Sequence, residues 1–378
     1  MAETSGGAPD AAFELAKRRF FEGLAALQAG RLEDAERAFL ASLEAVPGRV
    51  STLLNLGTTR LRMRRPTEAI AAADTVLATH PGDVDALAIR AVALARMGLH
   101  TQALAAYDRV VAAEPRLADM WSQRGNLLRE MNRFDEAAAS YAEARDRGGD
   151  PALNDWFLAG VGGGEAPAAA PPDYVEGLFD DYAAEFDTHL VDVLGYQGHR
   201  LLVENLPVPP GRRFASALDL GCGTGLCGPL LAPRTDRLTG IDLAGGMLAR
   251  ARDLGVYQRL ERAEAVAWLD ANRETFDLIV AADVLVYIGD LDPLFVAARR
   301  ALAADGVFGF SLELAASGPG EPPFSLLPSL RYAHSARYVR ELAARRGFGV
   351  LREIEAAVRE DRREAVPGIY FYLGPAAR

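Results

Sequence analysis

The densest chemistry in this 378-residue sequence is a run of one carboxylate and three glycines, Asp219-x-Gly221-x-Gly223-x-Gly225, followed about 20 residues later by Asp242. Glycines let a loop backbone approach a ligand where a Cβ would stand in the way. An acid at the end of the next strand can accept hydrogen bonds from both hydroxyls of a ribose, and the spacing from Gly221 to Asp242 is the one nucleoside sites use. A second candidate is His334, which follows a Gly/Pro-rich insertion from Gly318 to Pro328 and could serve a substrate pocket or simply start a helix. His189 could close a helix, and His80 and His100 fall in turns. Of the two cysteines, Cys222 lies in the glycine loop and Cys227 on the helix that follows. A structural zinc site wants four ligands, so buried thiols under the loop are the expectation, and no metal.

The elements that must hold these residues can be read around them. Ala217–Leu220 is a short apolar run, and Leu226, Leu230 and Leu231 supply one face of a helix after the loop. Arg237–Ile241 reads as a second strand ending at Asp242, with a helix over 246–254. Phe276–Ala282 is a strongly apolar strand that ends at Asp283. Further strands are expected at 306–314, 347–354 and 368–373. Strand, glycine loop, helix, strand and acid is the order of a nucleotide-type α/β domain, whose ligands sit outside the carboxyl ends of a parallel sheet.

The third glycine comes one residue early for the dinucleotide fingerprint. With Asp219 ahead of it, the segment resembles motif I of class I S-adenosylmethionine-dependent methyltransferases. A nicotinamide-dependent oxidoreductase is the alternative that the glycines and Asp242 leave open. The resemblance spans nearly all of 174–378 and implies a Rossmann-like, mostly parallel sheet of about seven strands. It also implies S-adenosylmethionine as cofactor, with S-adenosylhomocysteine as product. It places Tyr182, Asp219, Gly221, Gly223, Gly225, Asp242, Leu243, Met247, Glu264, Ala265 and Asp283 around that cofactor, with Glu264 and Ala265 near the adenine amino group. A segment from Tyr174 to Leu190 resembles the helix that lids the cofactor in related proteins, where Phe179 and Phe186 could equally be core. Methyl transfer is an in-line displacement that chiefly needs positioning, so a catalytic triad is not required. The fourth strand is followed by no Asn-Pro-Pro-Tyr run, which argues against amino methylation of nucleobases or glutamine.

The first half carries a repeat. Pro47, Pro81 and Pro115 fall 34 residues apart, and so do Ala35, Ala69, Ala103 and Ala137. Gly23, Gly57 and Gly125 share another column with Ala91, and Phe39, Tyr107 and Tyr141 a fourth with Ala73. Small residues allow close helix approach, aromatics fill the gaps and each proline stops a second helix. This resembles the tetratricopeptide repeat, with units at 16–49, 50–83, 84–117 and 118–151 and a capping helix from Pro151. The resemblance implies an all-α solenoid over 1–159 whose concave face holds a protein or peptide. Arg60, Arg64, Arg90, Arg96 and Arg124 could line that face for an acidic ligand or could be solvated surface. Residues 160–173, rich in Gly, Ala and Pro, read as a linker to a methyltransferase domain over 174–378.

Composition narrows the functions. The net charge of −11 disfavours a nucleic-acid partner. No run of 18 apolar residues suggests a membrane helix, and two cysteines do not make a secreted disulfide framework. A cytoplasmic, bacterial enzyme is expected, with Lys17 as the only lysine. The acceptor, whether protein or small molecule, and the oligomeric state stay open, as does an adaptor that binds cofactor without turnover.

Overall fold

The computed structural model describes residues 7–182, 196–315, 322–361 and 364–376, excluding the side chains of 7–10, 181–182 and 361. The chain divides into two compact units, Met1–Gly162 and Gly163–Arg378.

The first unit is a series of antiparallel helix pairs followed by one more helix. The pairs are α1 (Gly7–Gln28) and α2 (Leu32–Ala45), α3 (Val50–Arg62) and α4 (Pro66–Thr79), α5 (Val84–Arg96) and α6 (His100–Ala113), and α7 (Ala118–Glu130) and α8 (Phe134–Asp146); α9 (Pro151–Gly160) follows. Each repeated proline stands two residues beyond the end of a second helix, where it cannot continue the ladder. The glycine column explains itself through its partner: a Cβ at Gly23 would lie 2.5 Å from the Phe39 ring, and one at Gly125 would lie 2.5 Å from Tyr141. Where Ala73 replaces the aromatic, Ile89 of the next pair reaches Gly57 instead. The arginines expected to offer charge to a ligand are largely spent internally. Arg60 pairs with Glu36, Arg90 with Asp74 and Arg124 with Asp108, while Arg96 donates to the Leu61 carbonyl.

The second unit opens with residues expected to form a free linker, and here the structure differs. Ala169 bridges to Ile288, Ala170 N–H donates to the Tyr287 carbonyl, and Gly289 and Asp290 both donate to the Ala168 carbonyl. The Tyr332 hydroxyl donates to the Pro167 carbonyl at 2.8 Å. Backbone groups of this Ala/Pro stretch thus find partners in the sheet domain, which a sequence poor in side-chain pattern does not announce.

Helices α10 (Pro172–Tyr182) and α11 (Gly198–Glu204) precede the sheet. Its strands are β1 (Ala217–Leu220), β2 (Leu238–Asp242), β3 (Arg259–Arg262), β4 (Phe276–Ala281), β5 (Leu302–Leu314), β6 (Phe324–Leu326), β7 (Tyr332–His334), β8 (Phe348–Glu355), β9 (Arg359–Asp361), β10 (Glu364–Val366) and β11 (Gly368–Pro375). The main path runs β3-β2-β1-β4-β5-β11-β8, parallel from β3 to β5, with β11 antiparallel to both its neighbours. Helices α12 (Gly228–Leu231), α13 (Gly245–Asp253), α14 (Ala265–Ala271), α15 (Asp292–Ala301) and α16 (Ala336–Arg345) complete the unit. One core packs Leu218, Ile279, Phe295, Phe308, Phe310 and Phe371, and another packs Leu202, Phe214, Leu278, Val280 and Tyr372. Residues Leu278 to Ala281 alternate between these cores, as the two-residue period of a strand buried on both faces requires.

Two features depart from a seven-strand sheet. The described part of the Gly/Pro-rich insertion and the residues after it form the β6–β7 hairpin, and β7 adds in parallel to β5 at Glu313 and Leu314. A separate two-stranded hairpin, β9–β10, lies in the connection from β8 to β11.

Candidate functional site

The parallel strands bring their carboxyl ends to one edge, and the glycine loop leaves β1 there. Gly221, Gly223 and Gly225 all have left-handed φ, at +67°, +54° and +94°, a conformation that excludes most side chains. A Cβ at Gly221 would strike Val284 at 2.4 Å and one at Gly225 would strike Leu254 at 2.7 Å, whereas one at Gly223 would enter open space. Gly221 and Gly225 are thus required by packing, and Gly223 keeps the loop's open side clear.

Asp242 ends β2 and ties this loop down. Its Oδ2 accepts the Gly223 N–H at 2.8 Å and its Oδ1 accepts the Ala244 N–H at 2.9 Å. Each carboxylate oxygen has a second lone pair for a further donor. Burial raises the Asp242 pKa, against the pull of the backbone donors. Leu243 lends its carbonyl to Arg262, and Met247 is buried with Ala244 against Phe179 of α10.

Asp219 lies beneath the loop, 1 % exposed, and its Oδ2 accepts the Tyr257 hydroxyl hydrogen bond at 2.6 Å. Burial lifts its pKa to about 7. Asp219 therefore supports the loop from inside, and Tyr257, which no sequence motif marks, is its partner. Cys222 and Cys227 are buried free thiols whose pKa values burial pushes well up. Among the described residues no group of three His, Cys, Asp or Glu side chains could hold a metal ion.

Three expected site residues have partners within the chain. Glu264 caps α14: its two oxygens accept the Val266 and Ala267 N–H groups, leaving the carboxylate folded onto its own helix, with Ala265 as first residue. Such capping satisfies donors that a helix start otherwise strands. Asp283 takes φ +57°, its N–H donates to Ser311 Oγ, and its carboxylate faces Arg331 and Arg359. His334 is 0 % exposed in β7, with Nε2 3.0 Å from the Gly289 carbonyl. Burial depresses its pKa to about 4. A neutral, enclosed imidazole bonded to a backbone carbonyl cannot reach an acceptor, so His334 holds the β7 edge in place.

Helix α10 packs beside Asp242. Asp180 Oδ1 accepts the Gly246 N–H at 2.7 Å, Glu176 pairs with Arg262, and Phe179 meets the Tyr287 ring edge-on at 5.6 Å. The Tyr182 side chain, Phe186 and His189 lie outside the described residues. The docking residue Asp180 had no local signal beyond being an acid in an amphipathic helix.

Residues 218–308 match the methyltransferase-domain family, and residues 54–118 and 118–144 match tetratricopeptide repeats. The chain carries tetratricopeptide repeats and a methyltransferase domain. It is 41 % identical over 143 residues to malonyl-[acyl-carrier protein] O-methyltransferase of Geobacter sulfurreducens, covering 36 % of this chain and 52 % of the relative. It is 32 % identical over 163 residues to trans-aconitate 2-methyltransferase of Paracidovorax citrulli, covering 43 % and 56 %. The chain thus spans about half the length of the curated relatives it matches. A solved DhpI–SAH complex shares 19 % identity over 55 % of this chain and 98 % of its own, with a TM-score of 0.41.

Proposed function

We propose that the second unit binds S-adenosylmethionine at the glycine loop and transfers its methyl group, while the repeats hold a protein or peptide partner. The observation that carries this reading is the joint geometry of Asp242 and the loop. One carboxylate fixes Gly223 and Ala244 by backbone bonds, beside open space that a Cβ would fill, and retains lone pairs suited to ribose hydroxyls. The bound cofactor would supply an electrophilic methyl on a sulfonium. The chain's part is to hold it: the loop admits it closely, Asp242 orients its ribose, and α10, docked through Asp180 and Phe179, covers that side from water.

The cytoplasm is its proposed location, where Cys222 and Cys227 stay reduced. Tetratricopeptide repeats are interaction modules, and the repeat unit is the proposed recruiter of partner or substrate. Both acceptors named for the relatives, a malonyl group and trans-aconitate, carry carboxylates.

Calorimetric titration of S-adenosylhomocysteine into the full chain and Asp242→Ala tests the cofactor assignment. Hydrogen bonds to a charged acceptor contribute roughly 1.5–3 kcal/mol, so affinity is expected to fall about 10- to 100-fold. Equal affinity in a folded variant refutes the site. Transfer of a labelled methyl group to any acceptor separates an enzyme from an adaptor that only binds.

A further inference from the structure

Four charged side chains meet at the carboxyl ends of β4 and β5, beyond what the cofactor reading uses. Arg359 of β9 bonds to Glu313 of β5, and its Nη1 lies 3.6 Å from Asp283 Oδ1. Arg331, just before β7, places Nη1 3.4 Å from Asp283 Oδ2 and 3.8 Å from Glu313 Oε1. The guanidinium of Arg331 also lies over the Tyr287 ring, 5.8 Å from its centroid. Tyr287 in turn meets Phe179 of α10, and Val284, next to Asp283, abuts Gly221 of the glycine loop. The cluster therefore borders the proposed cofactor crevice.

As a structural staple this group is poorly made. Burying charges costs several kcal/mol per ion unless their hydrogen bonds are complete, yet Arg359 Nη1 and Asp283 Oδ1 are buried without a hydrogen-bond partner among the described residues. Arg359 and Glu313 are 6 % and 3 % exposed at their side chains, whereas Arg331 is 23 % exposed. Of the Arg331 guanidinium only Nη1 makes a hydrogen bond; its Nε and Nη2 have no hydrogen-bond partner among the described residues. The two carboxylates already face arginines, so the group still able to receive a ligand is a guanidinium fork. That fork matches a carboxylate through two parallel N–H···O bonds.

We infer that Arg331 is the acceptor-recognition residue and that the acceptor is a carboxylic acid, with Asp283, Glu313 and Arg359 as positioning residues that hold the fork toward the crevice. This rests on the methyltransferase reading. In the step it implies, a carboxylate oxygen forms a bond to the methyl carbon as the carbon–sulfur bond breaks. The electron pair stays on sulfur, leaving a neutral thioether and a neutral methyl ester. No proton moves, which suits a site where His334 is walled off. An anion and a sulfonium become two neutral products, and a low-dielectric site does not oppose that change.

The test uses the full chain, Arg331→Ala and Arg331→Lys, the last retaining charge but not the fork. S-adenosylhomocysteine affinity is measured first and is expected to stay within about twofold across the three, which also shows that the variants fold. Succinate, dimethyl succinate and putrescine are then titrated into the protein saturated with S-adenosylhomocysteine. Succinate is expected to bind the wild type, at least tenfold more weakly to Arg331→Ala and intermediately to Arg331→Lys; the ester and the diamine should not bind. Binding of putrescine, or equal binding of succinate to wild type and Arg331→Ala, overturns the inference. In a second arm, labelled methyl transfer is run on the small-molecule and the protein fractions of a cell extract. The label should be released as methanol by mild alkali, and the fraction carrying it tells a free acid from a carrier-borne or protein carboxylate. An alkali-stable label overturns the carboxylate assignment. A wild type that holds S-adenosylhomocysteine but labels neither fraction also overturns it, and leaves the cofactor site standing. Loss of S-adenosylhomocysteine binding in the wild type itself would instead bring down the underlying reading.

Discussion

Replacing Asp219 with Asn asks whether the carboxyl beneath the glycine loop keeps its proton. Burial lifts its pKa from 3.8 to about 7, with Tyr257 pulling it down and Asp242 pushing it up. A folded pKa above the unfolded one means that the native chain holds a proton the unfolded chain releases. The corresponding stability is fully present below the unfolded value of 3.8 and is lost as pH rises through about 7. At 1.36 kcal/mol per unit, the whole span is worth roughly 4 kcal/mol, of which about 3 falls between pH 5 and pH 8. Asn keeps the shape and an oxygen to accept the Tyr257 hydrogen bond, but does not titrate.

Wild type should therefore lose about 3 kcal/mol relative to Asp219→Asn between those two pH values. For a unit of this size each 1 kcal/mol moves the melting temperature by about 2–4 °C, so the gap between the proteins should move by about 6–12 °C. Scanning calorimetry of the full chain, following the transition that contains Trp268, reads this directly. Asp242 and Glu313, whose pKa values burial also raises, are present in both proteins, so the comparison reads Asp219 together with its coupling to Asp242. A gap of constant size at pH 5 and pH 8 refutes the reasoning, because Asp219 would then have the same charge in the native chain throughout.

Three further outcomes are expected. Gly125→Ala sets a Cβ 2.5 Å from the Tyr141 ring and should cost about 1–3 kcal/mol by overpacking, lowering the melting transition of the repeat unit while leaving S-adenosylhomocysteine affinity unchanged. His334→Phe strands the Gly289 carbonyl, costing about 1–3 kcal/mol without loss of cofactor affinity. Because the pKa of His334 is depressed to about 4, its stabilisation is present above pH 6.5 and lost as pH falls toward 4; denaturation across that range should show the variant to be less acid-sensitive than the wild type. A chain beginning at Gly163 should bind S-adenosylhomocysteine like the full chain, whereas one beginning at Pro171 lacks the Ala168 and Ala170 bonds to residues 287–290 and should melt several degrees lower by calorimetry.

Much of the fold was legible because its requirements are local and recurrent. A Gly opposite an aromatic, repeated every 34 residues, records a helix contact too close for a Cβ, and the structure shows that contact at Gly23–Phe39 and Gly125–Tyr141. The glycine loop was legible for a similar reason: left-handed φ at three positions leaves few residue types to choose from. The Ala/Pro stretch before α10 failed as a linker because backbone hydrogen bonds hold it, and these leave almost no trace in residue type. Glu264 was visible as an acid in the right place, yet its two oxygens cap α14. Position identified the residue but not the donor it would meet.

The charged cluster shows the limit most clearly. Asp283 and Glu313 lie at the ends of neighbouring parallel strands, Arg331 precedes a short added strand, and Arg359 sits in a separate hairpin that no local pattern announces. Asp283 is expected at the site, but Glu313, Arg331 and Arg359 each read alone as an ordinary surface charge, and most charges in such a sequence are that. Only the topology, with β7 added to β5 and β9–β10 forming a separate hairpin in the connection from β8 to β11, turns two arginines toward two carboxylates beside the glycine loop. In our proposal the same meeting gives Asp283 the task of holding Arg331. It also accounts for the enclosure of His334: β7 must bury that imidazole to pair with both β5 and β6, and in doing so it carries the preceding residue, Arg331, to the mouth of the crevice. Losing a histidine from the candidate chemistry and gaining a guanidinium are thus one structural event, and a carboxylate nucleophile, which needs orientation but no base, is the acceptor consistent with both.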